Sequence, residues 1–190
     1  HRYIRRQRQM CIRDRSVNGR KNVLFTSPHV ARIEERVRRN GTPISSREFD
    51  EALIRIHHAA TGDSNIPHIE LTFFEITYLV AMVASQGCEV LILETGLGGR
   101  LDATRSGPAT ISLVTSVSLE HRDILGPDLP SIAREKAAIA RPNCPIVIRD
   151  PEDENVRHAM LEEARKAGNP MIGEIIGPAD ASFVSISTGV

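Results

Sequence analysis

Residues Leu91 to Thr104 read Leu-Ile-Leu-Glu-Thr-Gly-Leu-Gly-Gly-Arg-Leu-Asp-Ala-Thr. An apolar run ends on the carboxylate of Glu94, a glycine-rich turn follows, and Arg100 and Asp102 come next. In an open α/β sheet, ligands bind beyond the carboxyl ends of the strands, which makes Glu94 a candidate metal or substrate contact. Glycines let backbone approach a phosphate or a planar ring closely. The spacing is not Gly-x-Gly-x-x-Gly, so a dinucleotide fingerprint is not the reading. A strand followed by an ordinary tight turn, with Glu94 as a capped turn carboxylate, fits the same residues.

Two other places share this pattern: Ser27-Pro28-His29 after an apolar run at Val23–Thr26, and Glu120-His121 after one at Thr110–Val117. If these strands are parallel neighbours, a hydroxyl, a carboxylate and an imidazole meet at one sheet edge. Mg²⁺ takes oxygen ligands and keeps waters and phosphates; one imidazole among them is unusual but allowed, and zinc would want more nitrogen or sulfur. His121 is equally open to reading as a loop histidine. Lys136, in Arg-Glu-Lys-Ala-Ala-Ile, is either part of a solvated helix face or a lysine aimed at metal and phosphates. His57, His58, His68 and His158 show no partner pattern and read as surface residues.

The elements that must position these groups are punctuated clearly. Pro28 biases Ser27 to extended geometry. Residues 31–44 read as irregular structure with a turn at Asn40-Gly41. Ser45-x-x-Glu48 is a capping box for a helix to about Ala60, with Phe49, Leu53 and Ile56 at helical spacing. A polar loop, Thr61–Pro67, leads to a second box, Thr72-x-x-Glu75, opening a largely apolar helix to about Gln86 that Gly87 ends. Glu89–Leu93 and Thr110–Val117 are predicted strands, Pro130–Ala140 a helix with proline near its start, Pro145–Arg149 a strand and Pro151–Ala167 an amphipathic helix. Beyond Gly168 no element is clear. The alternation from residue 72 onward predicts an α/β fold: a mainly parallel sheet with helices on both faces.

The 190 residues suffice for one domain and part of another. Hydrophobic content of 41% and charged content of 25% are ordinary for a soluble globular protein. No apolar run approaches the roughly 18 residues of a membrane helix, and no secretory h-region is visible at the start of the chain. Cys11, Cys88 and Cys144 fit neither a disulfide framework nor a zinc spacing, so a cytoplasmic setting without membrane association is expected. The net charge of zero conceals a net of +7 over residues 1–21 and −7 over the rest. Residues 1–20 read as a foreign basic segment, resembling translated sequencing adapter. A nucleic-acid-binding arm is the alternative, but nucleic acid is not an expected partner.

Taken together, several motifs resemble the bifunctional folylpolyglutamate synthase and dihydrofolate synthase family of the Mur ligase superfamily. They are Thr-Ser-Pro-His (26–29), Glu-Arg-Val-Arg (35–38), Asn-Gly (40–41), Leu-Thr-Phe-Phe-Glu (71–75), the stretch from Leu93 to Thr104, Glu-His (120–121), Leu-Gly (125–126) and Ile-Ala-Arg-Glu-Lys-Ala (132–137). The resemblance implies a partial P-loop NTPase-like central domain over residues 21–175, followed by a weakly defined tail at 176–190, with the C-terminal ligase domain absent. It implies Ser27, Glu94 and His121 as magnesium ligands, with His121 and Lys136 in catalysis, Lys136 being similar to a lysine the family often carbamylates. It places Thr72, Phe74, Asp102 and Ala103 at the pterin end of the substrate, with Arg100 nearby. The expected reaction is ATP-dependent addition of L-glutamate to dihydropteroate or folates through an acyl phosphate, by a protein that is monomeric when complete.

The chain departs from the family's pattern. It has no Gly-x-x-Gly-Lys-Ser-like phosphate loop before Val23, where only Gly19 stands. It has Glu120 where the family usually has Asp, Arg105 where Asn is common, and Ala138 where Gly is common. The expectation is therefore an incomplete piece of a ligase, inactive alone. Another Mur-type ligase, or a non-catalytic pterin-binding module, remains as an alternative.

Overall fold

The computed structural model describes residues 19–61, 70–149 and 151–167, and the backbone of 172–175. Most of the basic segment, most of the 61–67 loop, Cys11, His68 and the tail beyond residue 175 lie outside the described residues. The chain divides after Gly96 into two compact units.

In the first unit, β1 (Asn22–Phe25) pairs parallel with β4 (Val90–Leu93), with Phe25 opposite Leu93. On its other side β1 pairs antiparallel with β2 (Val37–Arg39), which pairs with the two-residue β3 (Thr42–Pro43). Residues 31–44 are thus not irregular. A 3-10 turn at Ile33–Arg36 leads into this hairpin, and Val37 is fully buried. The charged run Glu34 to Arg39 hides any period-2 pattern, and backbone pairing to β1 overrides it. The Asn40-Gly41 turn holds as read: both residues have positive φ, as a two-residue hairpin turn requires.

Helix α1 (Ser46–Thr61) starts from its box, where Ser45 N–H donates to Glu48 Oε2 and Glu48 N–H to Ser45 Oγ. Helix α2 (Phe73–Ala84) starts from the Thr72/Glu75 box and stops two residues before the predicted Gln86. It packs on α1, β1 and β2. The core joins Val23, Phe25 and Val37 of the sheet to Tyr78, Val80 and Ala81 of α2.

Glu34, in the 3-10 turn, is buried, and accepts from Arg32 at 2.9 Å and from Ser46 Oγ at 2.5 Å. The Arg32 and Ser46 hydrogen bonds lower its pKa from 4.5 to about 2. A carboxylate depressed in the folded state stabilises it above the unfolded pKa, and that stability is lost as pH falls through the folded value. Stability should therefore decline between about pH 4.5 and 2. Glu34→Gln should flatten that slope in acid-unfolding titrations while changing little of the slope above pH 6.

In the second unit β5 (Ser112–Val114), β6 (Ile146–Arg149) and β7 (Ile172–Ile175) form a parallel sheet in that order. Strand β7 is an element the sequence did not announce. Gly173 and Glu174 break the apolar run, and the ladder to β6 supplies what side-chain pattern does not. A short α3 (Arg122–Leu125) precedes α4 (Leu129–Ala137), capped by Asp128 with Pro130 in its first turn, and α5 (Glu154–Lys166), capped by Asp153. Both longer helices are shorter than predicted and pack on each other. Ala133, Ala137, Ile146, Ile148, Val156, Ala159 and Met160 form their core with Val114. The α/β class stands as expected. Parallel pairing is distributed over two sheets, one of them carrying the antiparallel hairpin.

Candidate functional site

The β1–β4 pair settles where two of the candidate groups go. Glu94 N–H continues the ladder by donating to Phe25 O at 3.0 Å, and Ser27 N–H donates to Glu94 Oε2 at 3.4 Å. Ser27 and Glu94, 67 residues apart in sequence, thus leave neighbouring parallel strands at the same edge. Both are half-buried. Oxygen donors side by side at the carboxyl ends of parallel strands suit a hard cation.

The same unit supplies an aromatic wall. Phe74 packs on Phe25 with ring centroids 5.4 Å apart, and Phe25 meets Tyr78 edge-on at 6.1 Å. Gly96 is needed here, because a Cβ on it would sit 2.6 Å from Phe74 Cε2. Thr72 is exposed and its hydroxyl serves the helix cap, donating to Glu75 Oε2 at 2.7 Å while accepting from Glu75 N–H. Sequence reasoning places His29 beside Ser27 and Arg36 within a motif, but gives neither a role of its own. Arg36 Nε donates to His29 Nδ1 at 2.9 Å, and its guanidinium lies over the Phe73 ring, 4.9 Å from the centroid. Only its place in the Glu-Arg-Val-Arg motif pointed toward Arg36; burial is not readable from a run of charges.

In the second unit the glycine turn is a tightly held loop. Asp102 is buried, and its carboxylate accepts from Leu97 N–H, Thr104 N–H and Thr104 Oγ1 at 3.1, 3.0 and 2.6 Å. Ala103 opens a 3-10 turn to Ser106. Arg100 is engaged with helices: Nε meets Glu135 on α4 at 2.8 Å and Nη1 meets Glu163 on α5 at 2.9 Å. Burial pushes the Glu163 pKa up, but hydrogen bonds from Lys166 and Arg100 outweigh it and hold the carboxyl below its ordinary value.

Gly99 is buried against α4. A Cβ there would lie 2.8 Å from Lys136 O and Ile139 N and 2.9 Å from Glu135 O, all backbone atoms that cannot swing aside. Gly99→Ala should therefore cost about 1–3 kcal/mol as overpacking strain, read as a lower urea midpoint with unchanged m-value.

Lys136 Nζ donates to Ser116 O at 3.3 Å, two residues past β5. His121 is exposed, in the left-handed region at φ 53°, and precedes α3. It lines a surface concavity with Leu119, Arg122, Asp123 and Pro127. The first unit thus brings Ser27 to Glu94 and holds Thr72 and Phe74 at the start of α2. The second holds Arg100, Asp102, Ala103, His121 and Lys136. Among the described residues no group of three His, Cys, Asp or Glu side chains is gathered to hold a metal; a Ser, Glu and His set would contain only two such groups. No described helix is long and apolar enough to cross a membrane.

No family model matches the chain. Known proteins do. The dihydrofolate synthase/folylpolyglutamate synthase of Escherichia coli is 42% identical over 136 residues, 70% of this chain and 31% of the relative. That of Haemophilus influenzae is 37% identical over 145 residues, 75% of this chain and 31% of the relative. The chain spans about a third of the length of these curated relatives. Among solved structures, E. coli FolC in complex with DHPP and ADP superposes with a TM-score of 0.72 at 34% identity, covering 88% of this chain and 39% of that one. A Yersinia pestis bifunctional folylpolyglutamate synthase/dihydrofolate synthase complexed with AMPPNP and Mn ion gives 0.71 at 32% identity, covering 88% and 40%. With its motifs in order, its α/β fold and these relatives along most of its length, the chain belongs, over the stretch it spans, to the bifunctional folylpolyglutamate synthase/dihydrofolate synthase family.

Proposed function

We propose that this chain is part of an ATP-dependent amide ligase that adds L-glutamate to dihydropteroate, to folates, or to both. The observation that carries the reading is the meeting of Ser27 and Glu94 at the carboxyl ends of two parallel strands. The aligned relatives are named dihydrofolate synthase/folylpolyglutamate synthase, and one solved relative holds AMPPNP with a Mn ion.

Ser27 and Glu94 would hold Mg²⁺ with His121 as third ligand, and their oxygen-rich donor set fits that ion. Bound there, the metal neutralises charge on phosphate oxygens. In the reaction, the substrate carboxylate takes the γ-phosphoryl group of ATP and becomes an acyl phosphate. The amine of glutamate attacks that carbonyl, and phosphate leaves. The protein's part is positioning and charge stabilisation. Thr72, Phe74, Asp102 and Ala103 bind and orient the pterin end, and Arg100 secures the loop that carries Asp102 and Ala103. Lys136 acts near the phosphates, as a carbamate or as a cation. The sequence contains no phosphate-cradling glycine loop, so the chain by itself is proposed to be inactive and the whole ligase to act as a cytoplasmic monomer.

Two measurements test this. Dihydropteroate should bind the 190-residue chain in calorimetry more tightly than ATP-Mg does. ATP-dependent glutamate incorporation should appear only when the chain is extended to the length of its relatives. Incorporation by the chain alone would overturn the claim of inactivity. Its absence from the extended protein, with either pterin substrate, would overturn the ligase reading.

A further inference from the structure

Arg36 is 7% exposed, a rare degree of burial for an arginine. A guanidinium carries five N–H donors and no acceptor. Here Nε is used on His29 Nδ1. Among the described residues, the Nη1 and Nη2 groups have no hydrogen-bond acceptor. The cation is flanked instead by the His29 ring and by the face of Phe73, itself 53% exposed. Burial lowers the Arg36 pKa, and the charge of Glu94 opposes that, so the carboxylate stands within electrostatic reach. A buried cation is costly unless it is paired. A ring face, one ring-nitrogen acceptor and the charge of Glu94 offset part of that cost, and the Nη groups, which are not among the buried polar atoms that lack a partner, stay open to solvent and to an arriving anion.

The position of this cation is fixed. Arg36 O accepts from Thr26 N–H at 2.8 Å, which registers it against the residue before Ser27. Its Nε side is anchored by His29, and its Cζ lies over the Phe73 ring. The remaining fork geometry matches a carboxylate or phosphate bidentately. The sheet edge that offers oxygen donors through Ser27 and Glu94 therefore carries an oxyanion receptor beside them.

We propose that Arg36 is an oxyanion-binding residue of this site, its two Nη groups taking the carboxylate of the acid substrate next to Ser27 and Glu94, with His29 and Phe73 as positioning residues that hold the guanidinium. The inference rests on the ligase reading above and deepens it. A nucleotide phosphate offers the same oxyanion chemistry, and the test separates the two sources.

The unsubstituted chain, Arg36→Met and Arg36→Lys are compared by calorimetry with three probes: dihydropteroate, a dihydropterin that lacks the benzoate carboxylate, and ATP-Mg. Circular dichroism establishes that each variant is folded. Arg36→Met should weaken dihydropteroate about tenfold or more, as loss of charge-assisted hydrogen bonds implies, and leave the dihydropterin unchanged. Arg36→Lys should recover part of the loss. A tenfold loss confined to ATP-Mg would keep the oxyanion role and assign it to phosphate. Equal weakening of dihydropteroate and dihydropterin would show that Arg36 only props Phe73 and would overturn the inference, as would a folded Arg36→Met with all three affinities unchanged. If neither pterin binds the unsubstituted chain, the pterin-site reading itself fails, and the inference falls with it.

Discussion

Glu94→Ala, in the chain extended to its relatives' length, should lower ATP-dependent glutamate incorporation by at least about 10²-fold, the scale on which charge-stabilising groups act in the transition state. The physical reason lies in the strand pair. Glu94 directly follows β4, and its carboxylate is oriented by the Ser27 amide. Removing it takes away the anionic member of a Ser27–Glu94 pair, and a serine oxygen alone is a weak ligand for a divalent ion. Glu94→Gln keeps the size and loses the charge, so it should behave nearly as Ala in rate while leaving the fold intact. Mg²⁺ titration supplies the second readout: the apparent metal affinity should fall with the rate. A full-rate Glu94→Ala protein would remove the case for a metal at this edge.

Phe25→Ala should be the most destabilising single change in the first unit, at about 3–5 kcal/mol for a fully buried phenylalanine. Phe25 has no exposed surface and meets both Phe74 and Tyr78. Its loss opens a cavity under α2 and removes the support beneath Phe74, which is wedged between Phe25 and Gly96. Thermal or urea unfolding should show the loss directly. Phe25→Leu, which refills most of the volume, should recover much of it. A Phe25→Ala protein within about 1 kcal/mol of the parent would mean that α2 settles into the gap.

Local chemistry was legible in the sequence where it was self-contained. The Ser45/Glu48 and Thr72/Glu75 boxes need only four residues each, and both form as read. The Asn40-Gly41 turn needs two. What the sequence could not yield is pairing at a distance. That Ser27 lies against Glu94 follows from β1 and β4 being neighbours, a fact of topology and not of either segment. The hairpin at 37–43 escaped because its strands are short and carry Arg38 and Arg39, so no alternation marks them. Arg36 escaped for a related reason: in this charged run nothing distinguishes the buried Glu34 and Arg36 from their exposed neighbours. Asp102 reads in the sequence as a ligand contact; what the structure gives it is a loop to hold.

The loop from Leu97 to Ser106 is tied along its length. Gly99 rests on α4, and Arg100 is bound to Glu135 and Glu163. Asp102 links Leu97 to Thr104, and Arg141 donates to Thr104 O, Arg105 O and Ser112 Oγ. Ordering a backbone costs roughly 1–2 kcal/mol per residue in conformational entropy. Here that cost is met when the unit folds, so a ligand arriving at the loop need not meet it again. Its binding should carry the heat-capacity change of its own buried apolar surface, without the larger one that marks coupled folding.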